Sequence, residues 1–178
     1  MQYLPVLILI LLIAVWYIGT RNRLNRAAVK IDEAQSGIDV ALVKRYDLLT
    51  KMLDVAKGYA AHEIEALTKV VELRQGMTVA EMTQANDRIT EMFGGLNVVA
   101  ENYPQLLSSE NFKQLQLAVA DAEEHLQASR RLYNGNVSAF NQMVVTFPTS
   151  IVANMLHFGQ REFFKADEEK HGDVKMSF

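Results

Sequence analysis

Apolar residues are arranged in two ways along this chain. From Leu4 to Ile18 they are continuous, so that any helix there is apolar on every side, whereas after Thr20 they recur at steps of three, four or seven. The first pattern suits a segment surrounded by lipid. The second suits helices that bury one stripe and leave the other face in water.

The stripe begins with Ile31, Ile38, Leu42, Leu49, Met52, Ala56, Tyr59, Ile64, Leu67 and Val70, and no proline interrupts Arg21 to Gln75. One helix of about 80 Å is predicted. Gly58 weakens it by about 1 kcal/mol relative to alanine, but the stripe keeps its register past that point, so the helix is expected to stay whole. Glu65 with Lys69 and Asp47 with Lys51 are spaced for i, i+4 ion pairs on its polar side. Gly76 reads as a stop. Thr78 with Glu81 three residues later reads as a capping box that starts a second helix of about 25 residues.

That helix carries the stripe Val79, Met82, Ile89, Met92 or Phe93, Leu96 and Val99, and Pro104 ends it by Tyr103. Gly94 and Gly95 follow no strand, so they suggest close approach of a neighbour and not a nucleotide loop. A third helix starts at Ser108 or Ser109. Its heptad seam is Phe112, Leu115, Val119, Ala122, Leu126, Ser129, Tyr133, Asn136, Phe140, Met143 and Phe147, and the unbroken phase favours helix over a turn at Asn134, Gly135 and Asn136. A short fourth helix is expected over Ile151 to Phe158, capped by Thr149 or Ser150. The charged remainder, 161–178, is expected to be loose or docked through Phe163 and Phe164.

Met1 to Thr20 holds no charged side chain, and twenty helical residues span about 30 Å, the thickness of a bilayer's hydrocarbon core. A cleaved leader is not expected, because no basic region precedes the apolar run and no small-residue site follows it. Trp16 and Tyr17 fall where aromatic rings favour the interface. Arg21, Arg23, Arg26 and Lys30 flank the C-terminal end only, so the N-terminus is expected outside and the rest in the cytoplasm. These sequence features divide the chain into a span at 1–20, a helical domain at 21–160 and a tail at 161–178.

Composition narrows the chemistry. The net charge is −3 and no basic face is visible, which argues against a nucleic-acid partner. There is no cysteine, so thiolate nucleophiles, disulfides and iron–sulfur ligands are excluded. His62 is followed by Glu63 but lacks a second histidine one turn on, and no Glu-x-x-His pair occurs. His125 with Asp121 reads as a solvated i, i+4 pair. Neither a nucleophile elbow nor a phosphate loop is present, so no catalytic residue, metal ligand or cofactor site is assigned. Two polar residues lie on the stripes: Arg45 is expected to snorkel to water, and Asn136 either fixes register or lies at a seam edge.

KRYDLL and KGYAAHE (Lys44 to Leu49, Lys57 to Glu63), AENYPQL (Ala100 to Leu106), ENFKQLQ (Glu110 to Gln116) and RRLYNGNVSAFNQMVVTFPTSIVA (Arg130 to Ala153) resemble the LemA family in order and spacing. REFFKADEE and the terminal VKMSF are similar to its tail, while KMLDVAKG departs conservatively from the family's usual segment. The resemblance implies a bacterial, inner-membrane protein with one span followed by an antiparallel helical bundle, and it implies no established catalytic activity. It also implies kinship with proteins of magnetosome membranes.

Helix lengths suggest assembly. A second helix running back along the first would cover only its distal half, and the third would then turn away from the bilayer, leaving Ile31, Ile38 and Leu42 without an intrachain partner. An exposed stripe of that kind usually marks an interface. The expected function is therefore a non-enzymatic membrane scaffold or adaptor that self-associates through that stripe. Its expected partners are the lipid bilayer, copies of itself and other membrane proteins. The alternative is an accessory subunit of a signalling or enzyme complex that binds a foreign protein.

Overall fold

A computed structural model describes residues 3–67, 73 and 76–165. Six helices order the described residues, with no strand among them: α1 (Leu4–Lys57), α2 (Ala61–Leu67), α3 (Val79–Asn102), α4 (Pro104–Ser108), α5 (Glu110–Val145) and α6 (Thr149–Met155). The all-helical class agrees with the periodicity. They form two compact units, one from 3–36 with 131–163 and the other from 37–130 with 164 and 165, so α1 and α5 each contribute to both.

α1 tolerates Pro5 because its first turn needs no intrahelical donor there. Its N-terminal stretch is unlike the rest of the molecule. The large apolar side chains from Leu4 to Ile18 are 40–64% exposed, and this is the one described helix long and apolar enough to cross a membrane.

The expected continuation past Gly58 does not occur. α1 ends at Lys57, where the Gly58 and Tyr59 N–H groups donate to Val55 O (3.3 Å) and Ala56 O (2.9 Å), three residues back, before α2 starts. Glycine lowers the cost of leaving the helix. Burial does not oppose the break, since Ala56, Ala60 and Ile64 carry the buried stripe across it while Tyr59 turns outward. Periodicity alone could not register the interruption. Lys69, Val70 and the stretch before Gly76 include positions outside the described residues; Gly76 itself has φ +76°, the left-handed conformation that favours glycine.

That break sets the directions of the helices in the second unit. Glu63 meets Tyr103, and a Cβ on Gly95 would lie 2.6 Å from Leu67 Cδ2, so α2 and α3 are antiparallel. Asn86 and Thr90 of α3 lie at Arg45 while Tyr103 lies beyond the end of α1, which makes α3 run in the sense of α1. α5 is the helix that returns, with Glu123 on Arg45 and Ser129 beside Gly37. The expectation that the second helix runs back and the third turns away is therefore corrected. Leu49, Met52 and Ile64 share this unit's core with Ile89, Leu96 and Phe112.

The exposed self-association stripe is corrected as well. Ile31, Ile38 and Leu42 are 1%, 0% and 0% exposed within a single chain. In the first unit α5 lies against α1 beside Ile31, where the Asn136 amide donates to Lys30 O at 3.0 Å. In the second, the Ser129 side chain stands beside Gly37, next to Ile38. A returning α5 supplies the intrachain cover that the length argument had left missing.

α3 begins as expected: Thr78 Oγ1 accepts from the Glu81 N–H (3.3 Å) and Glu81 Oε2 accepts from the Thr78 N–H (2.7 Å). The predicted stripe is buried except Val79, which is half-buried, and Met92 and Phe93 are both buried. α4, with Pro104 at its first position, is too short to show periodicity and was not expected. α5 passes unbroken through Asn134, Gly135 and Asn136, as the seam predicts, but stops at Val145, so Phe147 is exposed.

Thr149 and Ser150 do not cap α6. Thr149 lies inside the helix and its hydroxyl donates back to Met143 O (2.7 Å) and Thr146 O (2.8 Å). α6 ends at Met155, earlier than expected, because His157 adopts φ 56° and the N–H groups of His157 and Phe158 close onto Asn154 O and Ala153 O. Phe158 then packs edge-on against Phe140, with centroids 5.6 Å apart. Of the two tail aromatics, Phe164 is buried under the Arg130 guanidinium (4.7 Å) and Phe163 is exposed. The tail from 166 onward lies outside the described residues.

Candidate functional site

Charged and polar side chains gather at two places, one in each unit. In the second unit Arg45 is 4% exposed, which overturns the expected snorkelling. α1 delivers it between α3 and α5, where its guanidinium donates to Asn86 Oδ1 and to Thr90 Oγ1 (3.3 Å), pairs with Glu123 Oε2 (2.9 Å) and stands 5.7 Å from the Phe93 ring centroid. Removing a guanidinium from water requires such compensation. The cluster is internal and its hydrogen-bonding capacity is directed at neighbouring helices. It therefore ties three helices together and offers little to a ligand.

The second place lies in the first unit, directly after the apolar stretch. Arg23, Arg26 and Lys30 are spaced i, i+3 and i+7 on α1, which puts them on one face. All three line an open cavity of about 890 Å³. The facing wall comes from α5, the turn after it and the start of α6, with Asn136, Gln142, Thr146 and Thr149 supplying polar groups and Met143 and Phe147 supplying apolar surface. Gly19 lies at its edge, where an added Cβ would meet nothing within 4 Å. Among the described residues no carboxylate lines the cavity and none of the three cations has an ion-pair partner. Neighbouring like charges one turn apart repel by a few tenths of a kcal/mol each, so the cavity is electrostatically suited to an anion.

Arg21, the fourth predicted basic residue, is exposed but does not line this cavity. Asn136 fixes helix pairing through Lys30 O, in line with a register role. His62, His125, Asp121 and His157 are exposed, and no three His, Asp or Glu residues gather in a metal-binding arrangement among the described residues. His171 lies outside them. Lys57 pairs with Asp54 at 3.2 Å, whereas Asp47 and Lys51 form no ion pair among the described residues.

Four ionisable groups have altered proton affinities for clear reasons. Burial raises the Asp39 carboxyl, whose Oδ1 is enclosed without a hydrogen-bond partner among the described residues. The Tyr103 hydroxyl, donating at 2.7 Å, lowers Glu63, and the same bond raises Tyr103. Burial raises Tyr133, whose hydroxyl donates to Glu162 O at 3.0 Å. None of these groups lines the cavity.

Sequence reasoning identified the cations but missed the wall opposite them, because Gln142, Thr146 and Thr149 are brought there by tertiary packing. It also missed Asn86 as the partner of Arg45. The available signal was its position between Met82 and Ile89 on the α3 stripe, where a polar residue needs a buried partner.

The model of the LemA family matches residues 34–178. Among individual proteins, the chain is 31% identical over 184 residues to Protein LemA of Metamycoplasma hominis, covering 99% of this chain and 84% of that protein. It is 25% identical over 83 residues to Magnetosome protein MamQ of Magnetospirillum gryphiswaldense, and 28% identical over 83 residues to Magnetosome protein MamQ 2 of Paramagnetospirillum magneticum. Each of these two matches covers 47% of this chain and 30% of the magnetosome protein.

Proposed function

The chain belongs to the LemA family, and on that footing we propose that it is a membrane-anchored scaffold or adaptor that works by binding, with its helical units on the cytoplasmic side of a bacterial inner membrane. The observation that carries this reading is the charge-free, largely exposed apolar rod from Leu4 to Ile18, continuous with a helix whose later turns are packed into folded units. Water would penalise that rod by about 25 cal/mol for every Å² of apolar surface left in it, and lipid removes the penalty. The basic residues directly after it favour retention of that end on the cytoplasmic side.

Self-association remains part of the proposal, but not through Ile31, Ile38 and Leu42, which are enclosed. Val40 (71% exposed) and Val43 (48% exposed) lie one turn apart on the outer face of α1 and are the contact assigned to neighbouring copies. Extraction of the full chain with a mild detergent, followed by sizing and by crosslinking from position 43, tests this. Complexes larger than one chain that contain only this protein support the scaffold. A stoichiometric foreign subunit would turn the reading toward an accessory role, and recovery in the soluble fraction without detergent would remove the anchor itself.

A further inference from the structure

We propose that the cavity of the first unit binds the phosphate group of an anionic phospholipid headgroup, with Arg23, Arg26 and Lys30 on the phosphate oxygens and Phe147 beside the start of the acyl chain. This rests on the membrane-anchored reading above and adds a ligand to it.

The depth is suitable. The cavity begins at Gly19, where the apolar run ends; Arg23 lies about 6 Å further along the helix and Lys30 about 16 Å. The headgroup layer of one leaflet is about 5–8 Å thick, so the first cation sits at phosphate level, and the side chains of Arg26 and Lys30 tilt back toward it because helical side chains lean toward the N-terminus. The surroundings also grade from wet to apolar. Phe147, Ile151 and Met155 are 77%, 48% and 62% exposed, and Ile151 and Met155 share one face of α6 while Val152 and Ala153 are buried on the other. Phe147 lines the cavity itself, and an exposed apolar side chain in a cationic cavity fits a molecule whose anionic end adjoins a hydrocarbon end.

Topology alone does not require this arrangement. Orientation depends on the number of basic residues in the flank, whereas here three of them converge on a cavity with polar groups from two other helices and Arg21 is left outside it. Arg21 therefore provides an internal control of equal charge. A soluble phosphate ester carries the same recognised group, and the experiment must separate the two sources.

The full chain, purified in neutral detergent, is titrated with short-chain phosphatidylglycerol, with phosphatidylcholine and with inorganic phosphate, and bound lipid is counted by native mass spectrometry. One phosphatidylglycerol is expected to remain per chain. Arg26→Gln is expected to weaken its binding by about fivefold or more and Arg21→Gln by less than about twofold, from the energy of one basic residue near an anionic surface. Equal losses in the two variants would reduce the effect to diffuse charge and overturn the site. Equal retention of phosphatidylcholine would overturn recognition of an anion, and displacement by inorganic phosphate at matching concentration would overturn the lipid as source. Both replaced side chains are exposed, so circular dichroism should be unchanged. Flotation of the wild-type chain with vesicles separates the two proposals, because an anchored chain without lipid preference refutes only this one.

Discussion

At the residue scale, the buried polar groups are the sensitive points. Arg45→Ala would leave Asn86, 2% exposed, with its Oδ1 deprived of the guanidinium, while Glu123 keeps 40% of its side-chain surface in water. The orphaned amide therefore dominates, and a loss of about 1–3 kcal/mol is expected in denaturant melts. Glu123→Gln should cost less than about 1 kcal/mol because solvent screens that partner; equal losses would contradict this division. Asp39 behaves differently. Its folded pKa lies above 3.8, so its favourable contribution is complete below that value and is lost as pH rises through the folded pKa. Asp39→Asn is expected to raise Tm at neutral pH, and the advantage over wild type should close as the medium is acidified below 3.8. An advantage independent of pH would mean that ionisation is not the cause.

At the element scale, glycines show how the same residue acts differently by position. An alanine at Gly94 would meet nothing within 4 Å, so Gly94→Ala should stabilise α3 by about 0.5–1 kcal/mol through helix propensity. At Gly95 the added Cβ would lie 2.6 Å from Leu67 Cδ2, and moving that side chain should consume most of the gain. Equilibrium unfolding of both variants checks the contrast, and Gly95→Ala combined with Leu67→Ala should recover more than the sum of the single changes. Equal gains at 94 and 95 would show that α2 does not press on α3. The sequence suggested close approach at this pair without telling which glycine received it, because facing side chains are fixed by tertiary packing.

At the scale of the molecule, Ile31, Ile38 and Leu42 belong to the fold of one chain. Ile38→Ala is expected to destabilise it by about 2–4 kcal/mol, the cost of a large-to-small change at a fully buried site. Since the cover is intrachain, the same loss should be measured across a wide range of protein concentrations. A loss that shrinks as concentration rises would restore the stripe as an interface between copies.

The sequence by itself determined the helical class, the capping box at Thr78, the uninterrupted course of α5 through Asn136 and the apolar stretch before Arg21. These follow from local backbone chemistry and from solvent preference, both written in neighbouring residues. Only tertiary structure decided where α1 ends, which way α3 and α5 run, what encloses Arg45 and Ile38, and which polar groups face Arg23, Arg26 and Lys30. A stripe records that a face is buried, and it does so equally well on either side of a break at Gly58. The identity of the covering helix depends on chain direction, which three residues at that break reversed.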